Sequence, residues 1–389
     1  MTGSLQEKKG KYYVVLNFKD EMGARKQKWI STGYDVKGNK KKAMNILNDM
    51  LQKYEGVNTD VSFNTLFCDF ITTWVEINKP NIQKTTYCGY VSMVEKHIYP
   101  YFKSHNILLY EIKPIDLQKY YTSKIEEGLS PNTVIKHHAL IRTSLAYAVK
   151  NGMLRTNAAE LVNRPKKNRY DADHYTVGEL NELLFAVRKT KIETPVRFAV
   201  FYGLRRSEIL GLKWSSINFD KRTITIENKI VRVKDSSGKT VAVPESKLKS
   251  ETSRRTLPLC DEMIDYLKSV KLTTVRNKLL LGSEYNNEYC EYVCVNEEGN
   301  LLNPDYVTST FGKILKKNNM RHIRFHDLRH SCATMLLSIG YSMKEIQNWL
   351  GHADYTITAN TYTHVGNQEK IDMINSVERV LNAGTGRLA

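Results

Sequence analysis

The sequence predicts a multidomain chain, mainly α-helical with small β-sheets. Three observations carry that expectation. Apolar residues recur at helical spacing along most of the 389 residues. Short strand-like runs interrupt this pattern near the N-terminus and again after residue 222. One polar, basic, proline-broken segment, Asn163-Arg164-Pro165-Lys166-Lys167-Asn168-Arg169-Tyr170, separates regions of different character. The expected organisation is a small sheet-plus-helix domain over 1–57, a helical bundle over 58–163, a basic linker over 164–173, and a mixed α+β domain over 174–389 that ends in a tail helix.

Length and composition suit two or three domains with real cores. The 41% hydrophobic and 25% charged content is that of a soluble globular protein. No stretch reaches the ~20 uninterrupted apolar residues of a membrane span. Residues 1–10 are polar and lysine-bearing, without the apolar core of a signal peptide, so a cytoplasmic protein is expected. Charge narrows the class further. Lys plus Arg number 58 and Asp plus Glu 41, a net of +17 with a pI near 9.4. Such an excess attracts phosphate polymers, because each neutralised phosphate releases counterions. A basic protein of unrelated function, or one resting on anionic lipid, is the alternative. The six cysteines are scattered. Cys290 and Cys294 lie four apart in an apolar, strand-like stretch, the wrong spacing for a zinc knuckle, so reduced and mostly buried thiols are expected.

In the first segment, Lys11–Phe18 and Lys26–Thr32 read as strands joined by a turn at Asp20-Glu21-Met22-Gly23. Ala43, Ile46, Leu47, Met50 and Leu51 then repeat at helical spacing from Lys40 to Tyr54. The first 55 residues hold 12 Lys/Arg against 6 Asp/Glu. With Lys26, Lys28 and Trp29 on an exposed face, such a sheet suits entry into a DNA major groove, although a solvated sheet would show the same residues. The second segment shows apolar stripes at Phe63–Val75, Tyr87–Ile98 and Ile115–Ile125. A fourth helix opens at Ser130-Pro131, with Ser as N-cap and Pro at the first helical position. In the linker, Arg164, Lys166 and Lys167 are candidates to follow a DNA backbone, or are simply solvated.

The last segment mixes helices with strands. Helices are expected at Val177–Val187, Glu193–Phe201, Tyr306–Leu315, His326–Leu337, Met343–Leu350 and Gln368–Leu381. Strands are expected at 223–226, 230–233 and 255–259. The chemistry-bearing residues lie here. His326 and Arg329, three apart, share a helical face. Arg205 opens a helix after Gly203-Leu204, where amide groups favour an anion, and Glu208 is placed to hold that arginine or cap the turn. Ser342-Met343-Lys344-Glu345 is a capping-box pattern whose helix ends at Gly351, leaving His352 on the turn and Tyr362 in the next segment. His326 and His330 at i, i+4 also resemble a metal pair. Against that, Arg329 would repel a cation and no carboxylate cluster is evident, so neither metal nor cofactor is expected.

The Gly-Leu-Arg-x-Ser-Glu box at 203–208, the His-x-x-Arg box at 326–329, the Leu-Gly-His box at 350–352 and the Thr-Tyr-Thr-His ending at 361–364 resemble, in order and spacing, those of the tyrosine recombinase family of phage and transposon integrases. The likeness covers about Tyr175 to Leu381 closely and the rest more loosely. Arg206 stands where the family often has an apolar residue. The resemblance implies a catalytic lysine on a β-hairpin; measured back from Pro258, Lys249 fits, with Lys247 the runner-up. It implies Arg205 and Arg329 as the phosphate clamp, His352 as a further hydrogen bond to the phosphate, His326 in proton transfer, Lys249 as proton donor to the leaving 5′ oxygen and Tyr362 as nucleophile. Tyr355, seven residues earlier, is the competing nucleophile.

The activity so implied is metal-free integration and excision of a mobile element through a 3′-phosphotyrosyl intermediate and a Holliday junction. Double-stranded DNA with core-type and arm-type sites, a homotetramer on DNA and an accessory directionality protein are the implied partners, in a bacterial, nucleoid-associated setting without a membrane. The alternatives are a topoisomerase of the same chemistry and a catalytically silent DNA-binding regulator.

Overall fold

The computed structural model describes residues 2–19, 24–54, 65–168, 173–234, 240–245 and 254–351. The expected nucleophile Tyr362, its competitor Tyr355, His352, Lys249, Lys247 and the tail helix Gln368–Leu381 all lie outside the described residues. The described residues fall into two compact units that divide between Arg169 and Tyr170.

The first unit opens with an antiparallel meander of β1 (Thr2–Lys8), β2 (Lys11–Lys19) and β3 (Arg25–Asp35). The strand β1 was not anticipated, because its residues are mostly polar. Lys9 and Gly10, at φ 49° and 73°, form the two-residue turn that matches the twist of a tight hairpin. Val14, Leu16 and Phe18 face helix α1 (Lys40–Tyr54) and pack on Leu47, with Ile30, Ile46 and Met50 around them. Successive strand residues point to opposite faces, and this corrects one expectation: Lys26, Lys28 and Trp29 do not share a face. Trp29 is 46% exposed on the outer surface, where the Lys8 ammonium lies 5.3 Å from its ring. Lys28 turns inward, half-buried, 4.8 Å from the ring of Tyr110. Its burial lowers its pKa against the opposing pull of Glu111.

A separate core follows. It is built by α2 (Phe67–Asn78), α3 (Lys84–Met93), α4 (Tyr99–Ser104), α5 (Pro114–Glu126) and α6 (Pro131–Lys150). Phe67, Ile71, Phe102, Leu117, Tyr120, Tyr121, Ile141 and Leu145 are buried in it. The second predicted stripe is one continuous run with a wide turn at Val94–Ile98. The reason is Pro100, which has no amide to give the preceding helical turn. Ser130 caps α6 as expected, its hydroxyl accepting from the Thr133 amide at 3.2 Å. Ile115 and Ile125, expected in a stripe, are exposed. Arg164, Lys166 and Lys167 are exposed and in no regular element. Just after them, Asn168 exchanges two hydrogen bonds with Asn132 at the start of α6.

The second unit has a larger core. Its helices are α7 (Val177–Ala186), α8 (Glu193–Tyr202), α9 (Arg206–Leu210), α10 (Asp261–Leu281), α11 (Pro304–Lys317), α12 (Asp327–Ser338) and α13 (Met343–Leu350). One antiparallel sheet orders β4 (Ile217–Asn218), β5 (Thr223–Ile226) and β8 (Arg255–Pro258). A two-stranded sheet pairs β6 (Lys229–Lys234) with β7 (Thr240–Glu245).

Three elements of this unit escaped the sequence reading, and the first, β4, is only two residues long. β7 is short and contains Pro244, a strand-breaking signal. The 21-residue α10 buries only Met263, Ile264 and Leu267 near its start, so it carries no full-length apolar stripe. The stretch around Cys290 and Cys294 is no strand. A short turn at Asn287–Tyr289 leads into isolated bridges at Lys213–Tyr292 and Val295–Leu301. All six cysteines are free, but only Cys68, Cys294 and Cys332 are buried. Among the described residues no helix is long and apolar enough to cross a membrane.

Candidate active site

The site forms where α8, α9, α12 and α13 meet strand β8. Helix α8 ends at Gly203 and helix α13 at Gly351, both left-handed, at φ 60° and 67°. Only glycine takes that conformation without strain, and the surroundings reinforce the requirement. A Cβ on Gly203 would stand 2.4 Å from Leu350 Cδ2, and one on Gly351 would stand 2.9 Å from Arg255 Nη1. The capping box of α13 is present, with Ser342 and Glu345 bonded reciprocally.

The last carbonyls of α13 lack helical partners, and three arginines take them. Arg255 Nε donates to Trp349 O at 2.9 Å, Arg329 Nη2 to Leu350 O at 2.8 Å, and Arg205 Nη2 to Gly351 O at a longer 3.4 Å. Cations here also complement the negative end of the helix. Arg329 Nη1 reaches across to Gly203 O at 2.7 Å, tying the two helix ends together. Arg329 is 2% exposed, and burial pushes its pKa down to about 9, with Arg205 adding to the effect and Glu208 opposing it. It is still a cation at neutral pH. The Arg205 side chain is about one-third exposed, so a solvent-borne anion can reach it.

Glu208 organises the cations. It is 2% exposed. Its Oε1 accepts from Arg205 Nη1 at 2.6 Å, while Oε2 accepts from the Arg205 amide at 3.1 Å and from Arg255 Nη2 at 3.0 Å. Burial alone would raise its carboxyl, but Arg255, Arg205 and Arg329 hold it below the usual value. Glu208 thus both holds the arginine and caps the turn, the two roles expected for it. It also takes the Arg205 amide, one of the helix-start donors that were expected to serve an anion. Arg206 turns away from the site, bonding Pro304 O at 2.9 Å and the Thr308 hydroxyl.

His326 is the N-cap of α12, next to Arg329 on the solvent side. Partial desolvation, then His330 and Arg329, push its imidazole down to about 4. The imidazole is therefore neutral at pH 7. Asp327 is fully buried and accepts from the Arg324 amide at 2.8 Å and from Arg324 Nη2 at 2.7 Å, so it is no hydrolytic base. The His326 and His330 rings stand 5.6 Å apart and perpendicular. Among the described residues no group of three or more His, Cys, Asp or Glu is arranged to hold a metal ion.

Of the expected site residues, Arg205 and Arg329 meet at one turn, His326 stands beside Arg329, and that turn leads directly to His352. Sequence reasoning missed Arg255. The available signal was strand parity, since Arg255 shares a face with Leu257 and pairs with the buried Ile226. An arginine at a core-facing strand position must find a carboxylate.

Clustered arginines around one buried carboxylate, with Arg205 partly exposed, in a strongly basic chain are chemically suited to a phosphate group. Residues 175–369 match the Phage integrase family, and residues 66–125 match the N-terminal SAM-like domain of phage integrases. The first match spans half the chain, and the chain belongs to the phage integrase family, the tyrosine recombinases that cleave and rejoin DNA strands.

A tyrosine recombinase XerC-like protein of Caldanaerobacter subterraneus subsp. tengcongensis is 29% identical, over 95% of this chain and 97% of that protein. An integrase of Saccharopolyspora erythraea is 25% identical, over 76% of this chain and 78% of its own length. Among solved structures, the Tn1549 transposon integrase in complex with a circular intermediate DNA is similar with a TM-score of 0.65. It is 17% identical and covers 81% of this chain and 100% of that one. The lambda integrase tetramer bound to a Holliday junction has a TM-score of 0.56 at 16% identity, covering 90% of this chain and 96% of that one. At these identities the structural likeness speaks for the fold.

Proposed function

We propose that this recombinase integrates and excises a mobile element by metal-independent strand exchange. The observation that carries the reading is the convergence of Arg205 and Arg329 on the carbonyls of one turn, at Leu350 and Gly351. In this reading the two guanidinium groups neutralise the scissile phosphate as it becomes five-coordinate. Tyr362 attacks it, His352 adds a hydrogen bond, and His326 assists proton transfer. Lys249 protonates the departing 5′ oxygen. The phenol of Tyr362, with an unperturbed pKa of about 10, needs the nearby cations to ionise. The bond energy is kept in a 3′-phosphotyrosyl link until the 5′ hydroxyl of a second DNA resolves it, by way of a Holliday junction held by four copies of the chain.

The domain roles follow the same reading. Residues 1–57 bind arm-type sites, with Lys26, Lys28 and Trp29 as candidates. Residues 58–163 bind core sites. The linker 164–173, with Arg164, Lys166 and Lys167, follows the backbone, and 174–389 carries catalysis and the tail helix. The alternating faces of β3 make Trp29 the better candidate for base contact and Lys28 a residue of the sheet's own packing. A small directionality protein is the accessory partner, and the site of action is the bacterial nucleoid. The Tn1549 and lambda integrases, described as bound to a circular intermediate and to a Holliday junction, support the reading.

Nicked suicide duplexes tiled across the DNA flanking the encoding gene test it. Wild type is expected to form a covalent adduct, Tyr362→Phe none, and Tyr355→Phe an adduct as wild type does. An adduct that survives Tyr362→Phe transfers the role to another residue.

A further inference from the structure

We propose that Arg255 is a positioning residue for strand cleavage: by sharing Glu208 it keeps the Arg205–Arg329 clamp positively charged, and by holding Trp349 O it fixes the turn before His352. This rests on the recombinase reading above. No motif pointed to Arg255, yet it is one of the most constrained side chains in the unit. Its side chain is 8% exposed, it reaches Trp349 O through Nε and Glu208 Oε2 through Nη2, and its Cδ and Cζ would stand 3.2 Å from a Cβ placed on Gly351.

Charge is the deciding quantity. Among the described residues, three guanidinium groups, from Arg205, Arg255 and Arg329, surround one carboxylate, from Glu208, and these four groups together carry +2. A phosphodiester attacked by a phenolate passes through a phosphorane that carries two negative charges, so that surplus matches the transition state. Without Arg255 the surplus halves. Oε2 of Glu208, now bonded to Arg255 Nη2 and the Arg205 amide, can then swing onto the Arg205 guanidinium as a two-pronged pair. Arg205 would then be spent on Glu208 rather than on phosphate. The same loss releases Trp349 O, one of three carbonyls that hold the end of α13 in place. Arg255 touches no substrate in this scheme and acts through Glu208 and the turn.

The experiment uses the full chain and the tiled nicked duplexes, comparing wild type, Arg255→Ala, Arg255→Lys, Glu208→Gln and Arg255→Ala/Glu208→Gln. Single-turnover adduct formation in Arg255→Ala is expected to fall about 100-fold, the order of losing one preorganised electrostatic contact. Its affinity for the duplex should change less than about threefold, because Arg255 is one buried charge in a chain of net charge +17.

Removing the carboxylate charge in the double variant should restore cleavage at least about tenfold over Arg255→Ala, a non-additivity expected only of coupled residues. A purely structural role would make the double variant as slow or slower. Arg255→Lys, which keeps the charge without the fork, should fall between. Wild type failing to form an adduct sinks the recombinase reading itself. Wild-type cleavage by Arg255→Ala, or no recovery in the double variant, overturns the role of Arg255 alone. If Arg255→Ala does not fold, Arg255→Gln with and without Glu208→Gln gives the same comparison, and collapse of all these variants assigns Arg255 to stability and overturns the proposal.

Discussion

Gly203→Ala is the sharpest test of how the site is built. Gly203 sits at φ 60°, and an added Cβ would lie 2.4 Å from Leu350 Cδ2 and 3.3 Å from Cys332 Sγ. Placing alanine in the left-handed region costs about 1–2 kcal/mol. Forcing a methyl into a packed junction adds about 1–3 kcal/mol, so the second unit should lose roughly 2–5 kcal/mol in all. For a unit of this size, 1 kcal/mol moves Tm by about 2–4 °C, which predicts a fall of roughly 4–20 °C.

The effect should not stop at stability. The Gly203 carbonyl is the acceptor for Arg329 Nη1, so its displacement should slow adduct formation more than it weakens DNA binding. Differential scanning calorimetry and single-turnover cleavage measure the two effects. Gly312→Ala is the control, since that helical glycine has open space where its Cβ would go and should gain about 0.5–1 kcal/mol. Gly203→Ala melting within about 2 °C of wild type, with unchanged cleavage, would refute the steric argument.

Two further predictions concern protons. His137 is fully buried in the bundle, its Nδ1 2.9 Å from the Tyr120 hydroxyl, and burial, followed by His97 and Lys124, pushes it down to about 4. Above about pH 6.5 it is neutral in both the folded and unfolded states; between about 6.5 and 4 only the unfolded chain takes up the proton. The first unit should therefore lose on the order of 3 kcal/mol as pH falls through that window, then level off below it. Urea titrations across the window should show this limb in wild type and a clearly smaller one in His137→Gln, where His97 and His138, also lowered by burial, still contribute; an unchanged limb would assign it elsewhere. For Lys249, a substrate with sulfur in place of the bridging 5′ oxygen needs no proton donor, because a thiol ionises at a pKa of about 8.5. Lys249→Ala should lose about 10²–10⁴-fold in cleavage on the oxygen substrate and recover most of it on sulfur, whereas Tyr362→Phe recovers nothing. The same pattern appearing in Lys247→Ala instead would move the role to that residue.

Much of the secondary structure was legible because it follows local rules. The helix at Met343–Leu350 was read to the residue from its capping box and terminal glycine. Val177–Ala186, Glu193–Tyr202 and Asp327–Ser338 were placed within a residue or so of their ends. Helix α10 was missed because half of it faces solvent, and periodicity marks a helix only where one face is buried. The three-residue face assumed for Lys26, Lys28 and Trp29 failed for a related reason. Adjacent strand positions alternate, and the sheet packs on α1 with the Lys28 side inward.

The family and the candidate set were readable along the chain, because the boxes holding Arg205, His326, Arg329, His352 and Tyr362 keep a fixed order and local spacing that packing need not supply. Tertiary structure alone decided how those boxes are joined. Three arginines distant in sequence cap one helix end, a buried carboxylate is shared between two of them, and two left-handed glycines let the helix ends approach closely. Hydrogen bonds from a strand to a helix terminus have no periodicity and no fixed separation along the chain. Strand parity could mark Arg255 as core-facing, but which carboxylate and which helix end it binds was decided only by the fold.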